Sequence, residues 1–165
     1  MKICVISDTH DNISFFKALT SILSRRELKI GVHCGDHISP FTVEWMEETG
    51  FKNVYGVLGN NDGEVLLLSQ RYIERGWTLG RDILEIELEG ASIGVTHGTY
   101  MELPWIMAES GRYDIVLYGH THEKTVEFVG ETLVVNPGEG CGYLKGEKTL
   151  AVVDVKKKDV EIISL

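Results

Sequence analysis

At 165 residues and 43% apolar, the chain is long enough to fill one core and too short for a catalytic domain plus a regulatory module. Acidic residues outnumber basic ones 25 to 16, a formal charge of −9, which speaks against coating duplex nucleic acid or docking on an anionic membrane. Cys4, Cys34 and Cys141 form no CxxC pair, so zinc-finger and thioredoxin-type chemistry drop out.

Lys2 to Ser7 is a continuous apolar run of strand length, suited to a strand covered on both faces. The run is too short for a signal peptide and lacks a cleavage site, so the sequon at Asn12-Ile13-Ser14 is read as accidental. Ile13, Phe16, Leu19 and Leu23 recur at helical spacing, with Asp11 or Asn12 as N-cap. Ile30–Cys34 reads as a second strand, Pro40–Thr49 as a short helix carrying Phe41, Trp45 and Met46, and Asn53–Leu58 as a third strand. A helix from about Glu64 to Arg75 completes βαβαβα, which predicts a parallel sheet with right-handed crossovers.

Beyond it, Ile83–Leu88 and Ser92–Thr96 form a hairpin turning at Glu89-Gly90. A short helix around Trp105–Ser110 and an apolar strand, Ile115–Tyr118, follow. Thr125–Val129 with Thr132–Val135, and Leu150–Val155 with Val160–Ile163, predict two closing hairpins. No run approaches the ~18 apolar residues of a membrane helix. The expectation is an α/β fold in one domain over residues 1–165, with a parallel sheet packed on a mainly antiparallel one, in a reduced cytoplasmic protein.

Possible metal ligands gather where the apolar strands end. Asp8-Thr9-His10, Gly35-Asp36-His37, Gly59-Asn60-Asn61-Asp62, Thr96-His97-Gly98 and Gly119-His120-Thr121-His122 each follow a strand. Open α/β sheets bind ligands at those carboxyl ends, and Gly35, Gly59, Gly98 and Gly119 permit close backbone approach there. Singly, Asp8 reads as a turn cap, Asp62 as the N-cap of the next helix and Asn60 as a left-handed turn. Together the pieces are not the distribution of surface residues. Asp8, His10, Asp36, Asn60, His97, His120 and His122 are too many for one cation. They suffice for two sharing a carboxylate, and such a mixed oxygen–nitrogen pair is a phosphoryl-transfer device. His33, inside its strand, is expected as a core residue or a partner of a ligand. His37, beside Asp36, is a candidate to face substrate.

In order and residue type these five motifs resemble the signature of calcineurin-like metallophosphoesterases, and the match continues into Asn136-Pro137-Gly138. The size is most similar to the small single-domain phosphodiesterase branch. The resemblance implies a four-layer α-β-β-α sandwich with two packed mixed β-sheets. It implies that Asp8, His10 and His122 hold one metal, that Asn60, His97 and His120 hold another, and that Asp36 bridges them. It places Asp36, Asn60, Asn61, Asp62 and His97 at the catalytic centre, where a metal-bridging hydroxide attacks phosphorus in line. The two divalent ions would come from Mn, Ni, Fe, Zn or Mg, with Mn or Ni favoured.

One departure is informative. Many members carry His after the Asn ligand, able to protonate the leaving oxygen, whereas this chain has Asn61. That departure predicts modest turnover and a bias toward good leaving groups, unless His37 or water supplies the proton. Two positively charged ions reconcile the acidic exterior with an anionic substrate. They narrow it to small phosphodiesters, with no membrane partner and long nucleic acid disfavoured, in a monomer or a homo-oligomer such as a dimer. The alternatives are a non-catalytic protein-binding scaffold on the same fold, like a retromer subunit, and a metal-dependent nuclease.

Overall fold

Alternation of side chains along the strands decides the layering of the computed structural model, which describes residues 1–165. In chain order the first half runs β1 (Lys2–Ile6), α1 (Ile13–Arg26), β2 (Ile30–His33), α2 (Phe41–Glu48), β3 (Asn53–Val57), α3 (Val65–Glu74) and β4 (Thr78–Gly80). The second half runs β5 (Ile83–Leu88), β6 (Ala91–Thr96), α4 (Leu103–Glu109), β7 (Ile115–Leu117), β8 (Lys124–Val129), β9 (Thr132–Pro137), β10 (Thr149–Asp154) and β11 (Asp159–Ser164).

Strands β11-β10-β1-β2-β3-β4 form one sheet, and β5-β6-β7-β9-β8 the other. On β1, Ile3 and Val5 face the second sheet, while Cys4 and Ile6 face helices. Strands β7 and β9 repeat the pattern. Ile115, Leu117, Leu133 and Val135 meet the first sheet between the layers, and Val116 and Val134 pack under α4 with Met107 and Ala108. Helices α1 to α3 cover the opposite outer face through Phe15, Phe16, Leu19, Val43, Met46, Leu68 and Tyr72. The result is helix, sheet, sheet, helix.

Most elements fall where apolar periodicity predicts them, and the differences have physical reasons. Asn12, not Asp11, caps α1, accepting from Ser14 N at 3.1 Å and Phe15 N at 3.4 Å. Asp11 instead accepts from the Ser39 and Thr42 hydroxyls at 2.8 and 2.9 Å. Phe15 takes the buried position expected for Ile13, because Phe15, Leu19 and Leu23 share one face at i, i+4 spacing. Phe41 of α2 is likewise exposed, and Val43 and Met46 are buried. The three-residue β4 is too short to carry a period.

The second sheet is evenly mixed rather than mainly antiparallel. Strands β6, β7 and β9 run parallel, with β5 and β8 as antiparallel edges. The closing β10–β11 hairpin adds to the first sheet, where β10 pairs antiparallel with β1. Alternation shows that a strand has two faces, but not which neighbour it takes.

Leu117, fully buried between the sheets, and Leu66, 89% exposed, offer a direct contrast. Leu117→Ala should cost ~2–5 kcal/mol in urea unfolding through lost transfer energy and a residual cavity. Leu66→Ala should stay within about 0.5 kcal/mol. Equal costs would contradict the layering.

Candidate metal centre

Strands β1, β2 and β3 are parallel, so their carboxyl ends share one edge, and backbone bonds lace the following loops together. Asp8 N donates to Gly35 O at 3.0 Å, and His10 N to Asp36 O at 3.2 Å. From the second sheet, Gly119 N donates to His97 O at 2.9 Å. The fully buried Asn136 amide donates to Gly119 O at 2.8 Å and Thr121 Oγ1 at 3.0 Å. Cys141 N then donates to Asp8 O at 3.0 Å and closes the rim.

Two glycines make the convergence possible. A Cβ on Gly59 would overlap Asp36 Oδ1, and one on Gly119 would overlap Ser7 Oγ. The backbone is also held in uncommon conformations. Asp8, His10, Asp36, His120 and His122 have φ of 50, 42, 60, 67 and 58°, a region that costs non-glycine residues ~1–3 kcal/mol each and marks functional sites.

All seven residues expected as ligands meet at this edge. His97 Nδ1 donates to Cys34 O at 2.7 Å, which leaves Nε2 as a bare lone pair. That lone pair faces Asn60 Oδ1 at 3.0 Å and Asp36 Oδ1 at 3.4 Å. His10 Nε2 lies 3.4 Å from Asp36 Oδ2 and has no hydrogen-bond partner. His122 Nε2 lies 3.3 Å from Asp8 Oδ1, itself buried without a partner. The His120 ring sits edge-on to His97, centroids 5.1 Å apart, and its backbone N–H donates to Asp8 Oδ2 at 3.0 Å. Lone pairs aimed at one another in a buried setting call for a cation or shared protons between them. Nitrogen and oxygen donors with orphaned buried atoms fit divalent metals.

The charges agree with that fit. Burial pushes the Asp8 carboxyl above its ordinary range. Burial also opposes ionisation of Asp36, but His10, His97 and the Asn61 amide hold it well below that range. The Asp36 carboxylate raises His10. Burial works against the His97 cation, yet Asp36 outweighs it and His97 is raised too. Each of these directions favours positive charge among the donors.

Three further expectations resolve differently. Asn61 reaches the centre, but its N–H and amide donate to the two oxygens of Asp36 at 2.9 and 2.8 Å. It steadies that carboxylate. Asp62, expected at the catalytic centre or as a helix cap, does neither: its buried carboxylate accepts from Ile38 N and Gly59 N, both at 2.7 Å, and sits 3.0 Å from His37 Nδ1. It ties the β2 and β3 loops together. His37 is fully buried, with its other nitrogen 2.8 Å from Tyr72 Oη and its ring stacked 3.7 Å from His33. It does not face the cleft. His33 accepts from Gly35 N at 3.2 Å and meets Thr9 Oγ1 at 3.0 Å, so it is bonded to the loops that follow β1 and β2.

Two residues were not singled out as site residues. Glu139 is buried, 2.5 Å from His122 Nδ1, and accepts from Lys145 N at 2.6 Å. It fixes the His122 tautomer with Nε2 toward Asp8. Cys141 brings its thiol within 4.8 Å of donor nitrogens of His10 and His122, although no cysteine stands among the sequence motifs. Burial pushes that thiol up to about 12. The only signal for either was the glycine-rich stretch Gly138–Gly142 beside Asn136-Pro137.

A sequence profile of the calcineurin-like phosphoesterase superfamily domain matches residues 1–158. A phosphodiesterase of Methanocaldococcus jannaschii is 36% identical over 166 residues, covering all of this chain and 99% of that protein. The solved structure of an archaeal phosphodiesterase superposes with a TM-score of 0.93 at 35% identity, each chain fully covered. Vps29 of Entamoeba histolytica superposes at 0.70 with 18% identity over all of this chain and 99% of that one, a likeness of fold alone.

If His10 and His97 serve as the expected ligands, a metal would use the same lone pairs that a proton takes up. Raised above 6.5 in the metal-free fold, these protonated groups contribute stability that is present below about pH 6.5 and lost as pH rises through their raised values. Metal binding has the opposite sign and should strengthen with pH across that window while releasing protons. Calorimetry with Mn²⁺ in buffers of different ionisation enthalpy measures both. PH-independent affinity without proton release would contradict the assignment.

Proposed function

The chain belongs to the calcineurin-like phosphoesterase superfamily, and from that membership we propose a metal-dependent phosphodiesterase acting on small phosphodiesters. The observation that carries this reading is the way Asp36 is shared. Its Oδ2 faces His10 and its Oδ1 faces His97, each at 3.4 Å. In this reading Asp8, His10 and His122 hold one divalent cation, Asn60, His97 and His120 hold another, and Asp36 belongs to both. Bound there, the cations would supply Lewis acidity toward the phosphoryl oxygens and a nucleophile at neutral pH.

The chain's own residues do the rest. Glu139 and Cys34 O orient His122 and His97 through the nitrogens that face away from the centre. Asn61 holds both oxygens of Asp36 in place. An amide cannot give up a proton near neutrality, and His37 is buried away from the cleft, so leaving oxygens that are already weak bases should depart best. Manganese or nickel suits the mixed donor set. Three free, buried cysteines fit a reducing compartment, the cytoplasm. We read residues 1–165 as one domain carrying this activity.

The decisive comparison uses Mn²⁺-loaded protein and bis(4-nitrophenyl) phosphate. Asp36→Ala should lower kcat/KM by roughly a hundredfold or more, whereas Lys157→Ala, far on the surface, should not. Hydrolysis surviving in Asp36→Ala, or absent from the wild type with every divalent metal tried, would leave the scaffold reading standing. Glu139→Gln should weaken Mn²⁺ binding by about 10–100-fold with little change in thermal unfolding of the chelated protein. Across a series of diesters the rate should fall steeply as leaving-group pKa rises, and a flat dependence would reveal a protein acid.

A further inference from the structure

Given the phosphodiesterase reading, on which this step rests, a diester brings two ester arms to the centre, and the surface beside it decides what they are. The concavities differ in chemistry. The one behind His122, of about 430 Å³, is walled by Glu123, Lys124, Glu139, Lys145, Glu147 and Thr149 and has no apolar wall. The one lined by Ser92, Arg112 and Lys158 includes none of the residues expected as ligands. A third, of about 380 Å³, is lined in part by Gly59 and Asn60 and so adjoins the centre, where Asn60 Oδ1 lies 3.0 Å from His97 Nε2. Its size falls at the small-molecule end of ligand pockets, about 300–1,000 Å³.

This third cavity has two kinds of wall. Leu58, Val65 and Tyr100 supply apolar and aromatic surface, and Arg81, Asp82 and Thr99 supply donors and acceptors. The frame around it is fixed: Thr96 Oγ1 donates to Asp82 O at 2.9 Å, Leu58 N to Gly80 O at 3.1 Å, and Leu103 N to Tyr100 O at 2.9 Å. The side chains themselves are open to a ligand. Tyr100 is 70% exposed, and the Arg81 guanidinium has only a loose 3.9 Å approach to Asp82. A planar heterocycle has two apolar faces and a polar edge, which is the pattern these walls complement. An alkyl arm would use neither the ring of Tyr100 nor the polar side.

We infer that the cavity beside Asn60 is the subsite for one ester arm and that the arm it takes is a nucleoside, its base against Tyr100 and its polar edge toward Arg81, Asp82 and Thr99. Equilibrium binding tests this without turnover. Mn²⁺-loaded protein is titrated with adenosine monophosphate and with ribose phosphate, which carry the same phosphate and sugar with and without the base. The wild type should prefer the nucleotide by about tenfold or more, the scale of base–aromatic stacking. Tyr100→Ala should erase that preference while leaving ribose phosphate binding unchanged, and Tyr100→Phe should keep it.

Equal binding of the two ligands to the wild type, or a preference that survives Tyr100→Ala, would overturn the assignment. Nitrophenyl diester hydrolysis measured alongside separates the two readings. If it is intact while the preference is missing, only the subsite falls; if hydrolysis and phosphate binding are both missing, the phosphodiesterase reading falls with it.

Discussion

The structure is organised around mutual repulsion. Asp8 and Asp36, both buried, and the free nitrogens of His10, His97 and His122 are brought to one edge with their lone pairs converging. In a low-dielectric setting such groups separate, take up protons or bind a cation. The fold denies them separation. Asp8, His10, Asp36 and His122, with His120 beside them, sit at positive φ, and the loops that carry them are bonded to one another along their backbones. The inter-sheet core of Ile3, Val5, Ile115, Leu117, Leu133 and Val135 anchors the strands on which those loops stand. Stability built in the middle of the sandwich is what allows frustration at its edge.

The same constraint explains the surrounding polar network. The side chains of Glu139, Asn136, Asp62 and His33 are buried, and each engages directly a loop that carries expected ligands. None of them needs to touch substrate. They supply fixed hydrogen bonds where water would otherwise let the loops relax, so the donors keep their aim before a cation arrives.

Much of this was legible in the sequence, for a local reason. Asp8, Asp36, Asn60, His97 and His120 each follow an apolar run that identifies a strand, and parallel strands deliver their ends to one edge. What could not be read depends on contacts distant in the chain. Nothing near Glu139 announces that its partner is His122, and nothing near Cys141 announces that its backbone bonds to Asp8. Asp62 looked catalytic and His37 looked able to face substrate because they adjoin expected ligands, yet burial against Tyr72 and the Ile38 turn removes them from the cleft. The β10–β11 hairpin was visible as a hairpin, but its place beside β1 is a matter of tertiary pairing.

That pairing bears on the order of assembly. Strand β1 delivers Asp8 and His10, yet one of its edges is covered only by β10, and Ser7 O and Asp8 O are bonded only by Gly140 and Cys141. A nascent chain that has emerged as far as His122 therefore carries all seven expected ligands but not the Gly140 and Cys141 bonds to Ser7 O and Asp8 O. The centre cannot be completed piecemeal from the N-terminus. Closure waits on sequence-distant contacts, which makes folding slow relative to a helical chain of this size.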